Sequence, residues 1–244
     1  MTSELILPDW PAPQRVRACS TTRMGGVSQT PYESLNLGAH VGDRPEAVLA
    51  NRQRLVTLAD LPAMPQWLNQ VHGTQVVSLA SSASDVPTGD AAYTNQPGLV
   101  CAVMTADCLP VLFCAQSGDE VAAAHAGWRG LCSGVLEATL RHFRAPTSSV
   151  MAWLGPAIGP RAFEVGPEVR DAFIEQHPAA ADAFIAKDNK FIADIYQLAR
   201  LRLQAQGVTK IFGGDACTVT QADKFFSYRR DGTTGRMASL IWLI

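Results

Sequence analysis

The sequence predicts a single domain of the α/β or α+β class built on a mixed β-sheet. Short, continuous apolar runs recur from residue 15 to residue 243, as strands covered on both faces require. Segments of helical spacing are interspersed among them, with no linker, internal repeat or low-complexity tract. At 244 residues the chain is long for one core and short for two, so one large core over 1–244 is expected.

In chain order, residues 15–21 (RVRACST) form a strand, followed by the glycine-rich turn Arg23-Met24-Gly25-Gly26. Pro45 stands at a first helical position, and the helix it opens, 45–58, ends near Asp60. Residues 75–79, 99–104 and 109–114 are strand-like, and 121–124 is a short run that ends at His125. Over 131–143 the pattern becomes helical: Leu131, Val135 and Thr139 recur at spacing four, with Leu136, Leu140 and Phe143 beside them. Residues 150–154 return to strand, closed by the turn GPAIGP. Helices follow over 167–177 and 194–206, the latter with Gly207 as its C-cap, and 208–212 and 237–243 supply late strands.

Composition narrows the function. A hydrophobic content of 47% and a mean hydropathy of +0.05 describe an ordinary globular protein. No apolar run approaches the ~18 residues of a membrane span. The opening MTSELILPDWPAPQRV, broken by prolines and acidic early, is unlike a signal peptide, so a cytoplasmic protein is expected. Twenty basic residues against 22 acidic ones leave no surplus for counterion release from nucleic acid. The expected partner is therefore a small molecule, with no nucleic acid and no membrane. The six cysteines form no CxxC pair and are too sparse for a disulfide framework, so reduced thiols are expected.

The stretch 90–130 carries the chemistry. It sets Cys108 and His125 at the ends of neighbouring apolar runs, and His72 sits upstream in WLNQVHG. Two imidazoles and a thiolate suit a borderline-soft metal, and three protein ligands leave a fourth position open, as in catalytic sites. The plainer alternative makes Cys108 a small buried hydrophobe and the two histidines satisfied core residues. Asp107 is a partner that orients an imidazole, a proton carrier, or a turn residue bonding its own backbone. Asn36 and His40 lie among small residues in SLNLGAHVGD, as a binding loop or a structural turn would place them. Arg23, Arg129 and Arg229 sit in glycine- or aromatic-rich settings where a guanidinium fork can hold phosphate or carboxylate, or can simply be surface charge. Gly130 stands at the start of the 131–143 helix, whose amides would add to such an anion site. Phe225, Phe226 and Tyr228 can stack on a base or fill core. There is no P-loop, no GxGxxG turn, no HxE…PCxxC deaminase signature and no GxSxG elbow.

The ordered motifs NQVHG, DAAYT, TADCLPVLF, HAGWRG, GPAIGP, FEVG and FFSYRRDGTTGR resemble the YfiH family over nearly the whole chain. Members of that family carry the labels multicopper polyphenol oxidase (laccase), purine nucleoside phosphorylase and peptidoglycan editing factor. The resemblance implies a single α/β domain of packed sheets flanked by helices. It further implies Zn2+ held by His72, Cys108 and His125. The implied chemistry is phosphorolysis of adenosine, inosine, guanosine and methylthioadenosine, together with deamination of adenosine. On this reading Asp107 carries protons, while Arg23, Asn36, His40, Arg129 and Arg229 contact nucleoside and phosphate.

Three other readings stand beside it. One is an amidase removing L-serine from a UDP-muramyl precursor. Another is a metal-free hydrolase in which His125 activates Cys108, and a non-enzymatic binding module is the third. A laccase needs many histidines in HxH pairs. This chain has five histidines and no such pair, so Cu2+ chemistry ranks last even though a single Cu2+ suits the donor set.

Overall fold

The apolar runs form the strands of two packed sheets in a computed structural model that describes residues 4–81 and 85–244. The elements run β1 (Leu5–Ile6), β2 (Val16–Thr21), α1 (Pro45–Leu58), β3 (Val76–Ser78), β4 (Ala91–Thr94), β5 (Val100–Thr105), β6 (Leu109–Ala115) and β7 (Val121–Ala126). They continue with α2 (Trp128–Ser133), α3 (Val135–Leu140), β8 (Val150–Leu154), β9 (Glu164–Val165), α4 (Pro167–Gln176), β10 (Phe184–Lys187) and β11 (Lys190–Ala193). The last are α5 (Ile195–Ala205), β12 (Lys210–Gly213), α6 (Tyr228–Asp231) and β13 (Met237–Leu243).

One sheet is four-stranded in the order β1-β2-β13-β5, and the other is six-stranded in the order β12-β8-β6-β7-β4-β3. In the larger sheet β12 and β3 join in parallel and the inner pairs are antiparallel, which makes the sheet mixed as expected. A third sheet, three-stranded in the order β10-β11-β9, is not hydrogen-bonded to these two but joins the helix-side core through Val165 and Ala193.

Side-chain alternation along each strand shows where the core sits. On β6, Leu109, Val111 and Phe113 face the helical side, whereas Leu112 and Cys114 join the inter-sheet core. On β5, Cys101 and Val103 point inward to that same core, while Val100, Ala102 and Met104 pack outward with Leu37 and with Leu55 of α1. On β7, Val121 and Ala123 face the inter-sheet layer, so His125, two residues on, belongs to the same face at the strand's end. Helices α2, α3, α4 and α5 cover the opposite face of the large sheet through Leu131, Leu136, Phe173 and Leu203. Among the described residues, no helix is long and apolar enough to cross a membrane.

The helix expected over 131–143 is two helices. Gly134, at φ 98°, caps α2 and opens α3 in a left-handed conformation that ordinary residues avoid. The first of the two begins at Trp128, so Gly130 lies inside a short helix and opens none. A Cβ on Gly130 would stand 2.8 Å from the Gly73 carbonyl oxygen, so the glycine brings α2 down onto the turn that carries His72.

Buried acids hold both ends of β7. Glu120, just before the strand, accepts from the Tyr93 hydroxyl at 2.5 Å, from the Arg144 N–H at 2.8 Å and from the Ala145 N–H at 3.0 Å. Burial pushes its carboxyl up, but these donors outweigh burial and hold it below the usual range. Its stabilisation is therefore fully present above the unfolded pKa of about 4.3 and lost as pH falls through the lower folded pKa. Glu120→Gln is expected to cost about 1–3 kcal/mol at pH 7, and the gap to wild type should close below about pH 4. Urea midpoints measured across that range check the sign.

Candidate metal centre

His72, Cys108 and His125 are the described residues whose ligand atoms gather as a metal site would need, all within 4.8 Å of one another. They come from three separate places in the chain, one strand and two turns. His125 ends the inward face of β7. Cys108 follows β5 in the turn by which the chain leaves the small sheet for β6 of the large one. His72 sits at φ 61°, on the turn before β3.

One carboxylate fixes two of the three. Asp90, fully buried, accepts the His72 N–H at 2.8 Å and the Gly73 N–H at 2.7 Å, and so shapes the His72 turn. It also accepts from His125 Nδ1 at 2.9 Å. An ionised carboxylate only accepts, so His125 Nδ1 carries a proton. Burial works against a charged imidazole, but Cys108 and Asp90 raise it to about 9, so an ion bound at Nε2 would replace the proton shared with Cys108. Burial pushes the Asp90 carboxyl up, but His125 and the N–H groups of Gly73 and Val71 draw it below its usual range. Burial likewise opposes ionisation of the Cys108 thiol, yet the neighbouring His125 and His72 bring it down to about 6. A thiolate is the form that binds metal.

The donor set fits a tetrahedral ion. Zinc at its usual bond lengths separates neighbouring N and S ligands by roughly 3.3–3.7 Å. Cys108 Sγ and His72 Nε2 stand 3.8 Å apart. Gly127 keeps the floor clear: a Cβ there would lie 3.0 Å from both Cys108 Sγ and His72 Cδ2.

The cluster opens on a cleft of two lobes that share Ala106, Cys108 and Tyr228. The metal lobe, about 400 Å³, is lined by His40, Gln70, His72, Cys108, His125 and Arg236 among others. The aromatic lobe, about 270 Å³, has Trp128, Arg129, Ile158, Phe163 and Arg229 around Tyr228. A larger cavity of about 460 Å³ near Trp67 and Leu99 contains none of the three clustered ligands.

A family model described as "Multi-copper polyphenol oxidoreductase laccase" matches residues 17–244. The Escherichia coli (strain K12) protein named "Purine nucleoside phosphorylase YfiH" is 62% identical over 242 residues, covering 99% of this chain and 100% of that one. The Pseudomonas aeruginosa protein named "Purine nucleoside phosphorylase PA4543" is 58% identical, covering 98% of each chain. Among solved structures, Neisseria meningitidis protein NMB0706, of the DUF152 family model, superposes with a TM-score of 0.96 at 54% identity and 99% coverage of both chains. YlmD from Geobacillus stearothermophilus follows with a TM-score of 0.89 at 33% identity, covering 100% of this chain and 97% of that one.

The chain belongs to the YfiH family. Within this YfiH fold the residues singled out in the sequence divide. His40 lines the metal lobe, and Asp107, Arg129 and Arg229 line the aromatic lobe. Two others lie outside both lobes. The Arg23 guanidinium donates Nε and Nη1 to the Glu33 and Ala222 carbonyls, each at 3.0 Å, and lies 4.9 Å over the Phe226 ring. Asn36, fully buried, donates to Asp43 and accepts the N–H groups of Gly38 and Arg236. It is a loop brace with no free polar group.

Asp107 is held from both sides. Oδ1 accepts from the Thr218 hydroxyl and Oδ2 from the Arg229 N–H, each at 2.6 Å. Both oxygens accept, so the carboxylate ties the Cys108 turn to the segments that carry Thr218 and Arg229. The role of orienting an imidazole belongs to Asp90, which the sequence reading missed although it opens the motif DAAYT. Arg236 and Gln70 were missed as well. Phe225 and Phe226 are core, whereas Tyr228 is 61% exposed and stands between the lobes.

Proposed function

We propose that this chain is a zinc-dependent purine nucleoside enzyme that phosphorolyses adenosine, inosine, guanosine and methylthioadenosine and also deaminates adenosine. The observation that carries the reading is the two-lobed cleft, whose lobes meet at Cys108, in a chain whose relatives bear the name purine nucleoside phosphorylase. The aromatic lobe suits a purine, with Tyr228, Trp128 and Phe163 offering ring faces. The Arg129 guanidinium lies 4.5 Å over the Trp128 ring, and that of Arg229 lies 5.8 Å from the Phe163 ring. Both add polar contacts at the edge of that lobe.

His72, Cys108 and His125 would hold Zn2+, which when bound supplies Lewis acidity with one coordination position open to substrate or water. Copper oxidase chemistry is disfavoured because the described residues offer this one His-Cys-His group and the chain has too few histidines for a multicopper set. Phosphorolysis needs C1′ beside a bound phosphate, whereas deamination needs C6 beside an activated water. C1′ is the ribose carbon bonded to N9, whereas C6 lies in the six-membered ring of the base, so the two reactions use different poses in the cleft.

Zinc-loaded protein incubated with inosine should release hypoxanthine only when phosphate is present. With adenosine and no phosphate it should yield inosine. Chromatography that finds neither product from the metal-loaded enzyme would refute the reading.

A further inference from the structure

We propose that Arg236 anchors the inorganic phosphate co-substrate in the metal lobe, opposite the purine in the aromatic lobe. The inference rests on the phosphorylase reading for its choice of anion, and on the following geometry for the site itself.

The main chain of Arg236 is fixed on both sides. Its N–H donates to Asn36 Oδ1 at 2.9 Å, and its carbonyl accepts the Leu37 N–H at 3.1 Å. Its aliphatic stem lies against Gly38, where an added Cβ would come within 2.8 Å of Arg236 Cγ. Of its donors, Nη1 is satisfied by the Thr234 and Gly235 carbonyls at 3.1 and 3.0 Å. Among the described residues Nε and Nη2 have no acceptor and no carboxylate forms an ion pair with the head. A half-buried, pre-aimed guanidinium that feels Cys108 and Asp107 only through space, with no carboxylate paired to its head, is an unfinished ion pair.

The surroundings favour an anion. No carboxylate lines the metal lobe, and the charge of its one thiolate, Cys108, would be taken up by bound zinc. His40 lies in the same lobe, its imidazole pushed toward the neutral form by burial, Arg236, Arg52 and His125, and its ring N–H can donate to a phosphate oxygen. Gln70 is already committed, its amide paired with both backbone groups of Met104. The other two cleft arginines are differently placed. Arg129 is exposed over Trp128, and Arg229 gives Nη1 to the Glu164 carbonyl.

A hydrogenphosphate on Arg236 and His40 faces the junction of the lobes at Cys108 and Tyr228. As a phosphate oxygen bonds to C1′, the C1′–N9 electron pair leaves with the base. The base takes up the proton that the hydrogenphosphate gives up, which yields free purine and ribose 1-phosphate.

The test is calorimetric titration of inorganic phosphate into zinc-loaded wild type, Arg236→Gln and Arg236→Lys, with zinc content and thermal midpoint measured on each. Loss of the charged fork should weaken phosphate about 10- to 100-fold in R236Q, with zinc content unchanged. R236K, which keeps the charge on a point donor, should fall between, and it decides the matter should R236Q not fold. Affinity equal to wild type in the folded variants overturns the proposal, as does a wild type that binds no phosphate. Should wild type bind phosphate through Arg236 yet phosphorolyse no nucleoside, the anion site stands and the phosphorylase reading falls.

Discussion

Cys108→Ala is expected to lose zinc and turnover together, each by at least about 10²-fold, while the fold survives. Removing a group that merely orients a ligand typically costs 10- to 100-fold in affinity or activity, and a direct ligand should exceed that. Survival of the fold follows from where the residue sits. Its turn is fastened by its neighbour Asp107 to Thr218 and Arg229, and by the Asp107 carbonyl to the Ile158 N–H, none of which involves the sulfur. Elemental zinc analysis, inosine phosphorolysis and far-UV circular dichroism on one preparation check all three statements. A fully active C108A would sink the metal role and the nucleophile role alike. Chelation separates these two. A zinc enzyme stripped of metal loses activity and regains it with added Zn2+, whereas a Cys108–His125 hydrolase stays active when stripped and dies on alkylation.

Asp90→Ala should be the most destabilising single change near the site, by about 3–5 kcal/mol, because it strands a buried partner without its counterpart. The loss reaches beyond His125: the N–H groups of Val71, His72 and Gly73 would all lose their acceptor. Asp90→Asn keeps the shape but places an amide where three N–H donors and an imidazole N–H converge. It should fold, less stably, and bind zinc about 10- to 100-fold more weakly. Urea melts of the apoproteins and zinc titrations with a competing chelator measure the two effects separately. An Asp90→Asn protein that matches wild type in zinc affinity would remove Asp90 from the positioning role.

Much of the fold could be read from the chain because the central strands β5, β6, β8 and β13 are buried on both faces and so appear as uninterrupted apolar runs. Residues 150–154 and 237–243 match β8 and β13 end to end, and Pro45 marks α1 at its first residue. What escaped was governed by distant partners. Strand β4 is Ala-Ala-Tyr-Thr, alanine-rich with little intrinsic strand preference, and it is a strand because β7 and β3 flank it. The hairpin of β10 and β11 is largely exposed and lacks the apolar run that betrays a core strand.

The site shows the same division. His72, Cys108 and His125 were visible as residue types in specific motifs. Asn36 and Arg23 looked equally like binding residues, because a buried brace and a ligand contact draw on the same polar groups. Only the fold reveals that Asn36 is joined to Arg236 and Arg23 to Ala222 from the far end of the chain. Asp90 was unreadable for the converse reason: an acid before a short alanine run carries no local sign that four donors will surround it.

The two buried acids that bracket β7 bear on how this centre can fail. Strand side chains alternate, so a slip of one residue along β4 would rotate the His125 imidazole onto the helix-covered side and present an alanine to the ion. Between those two states there is no partly rotated ligand. Loosening either anchor should therefore divide molecules into competent and dead populations, with no graded decline in each one.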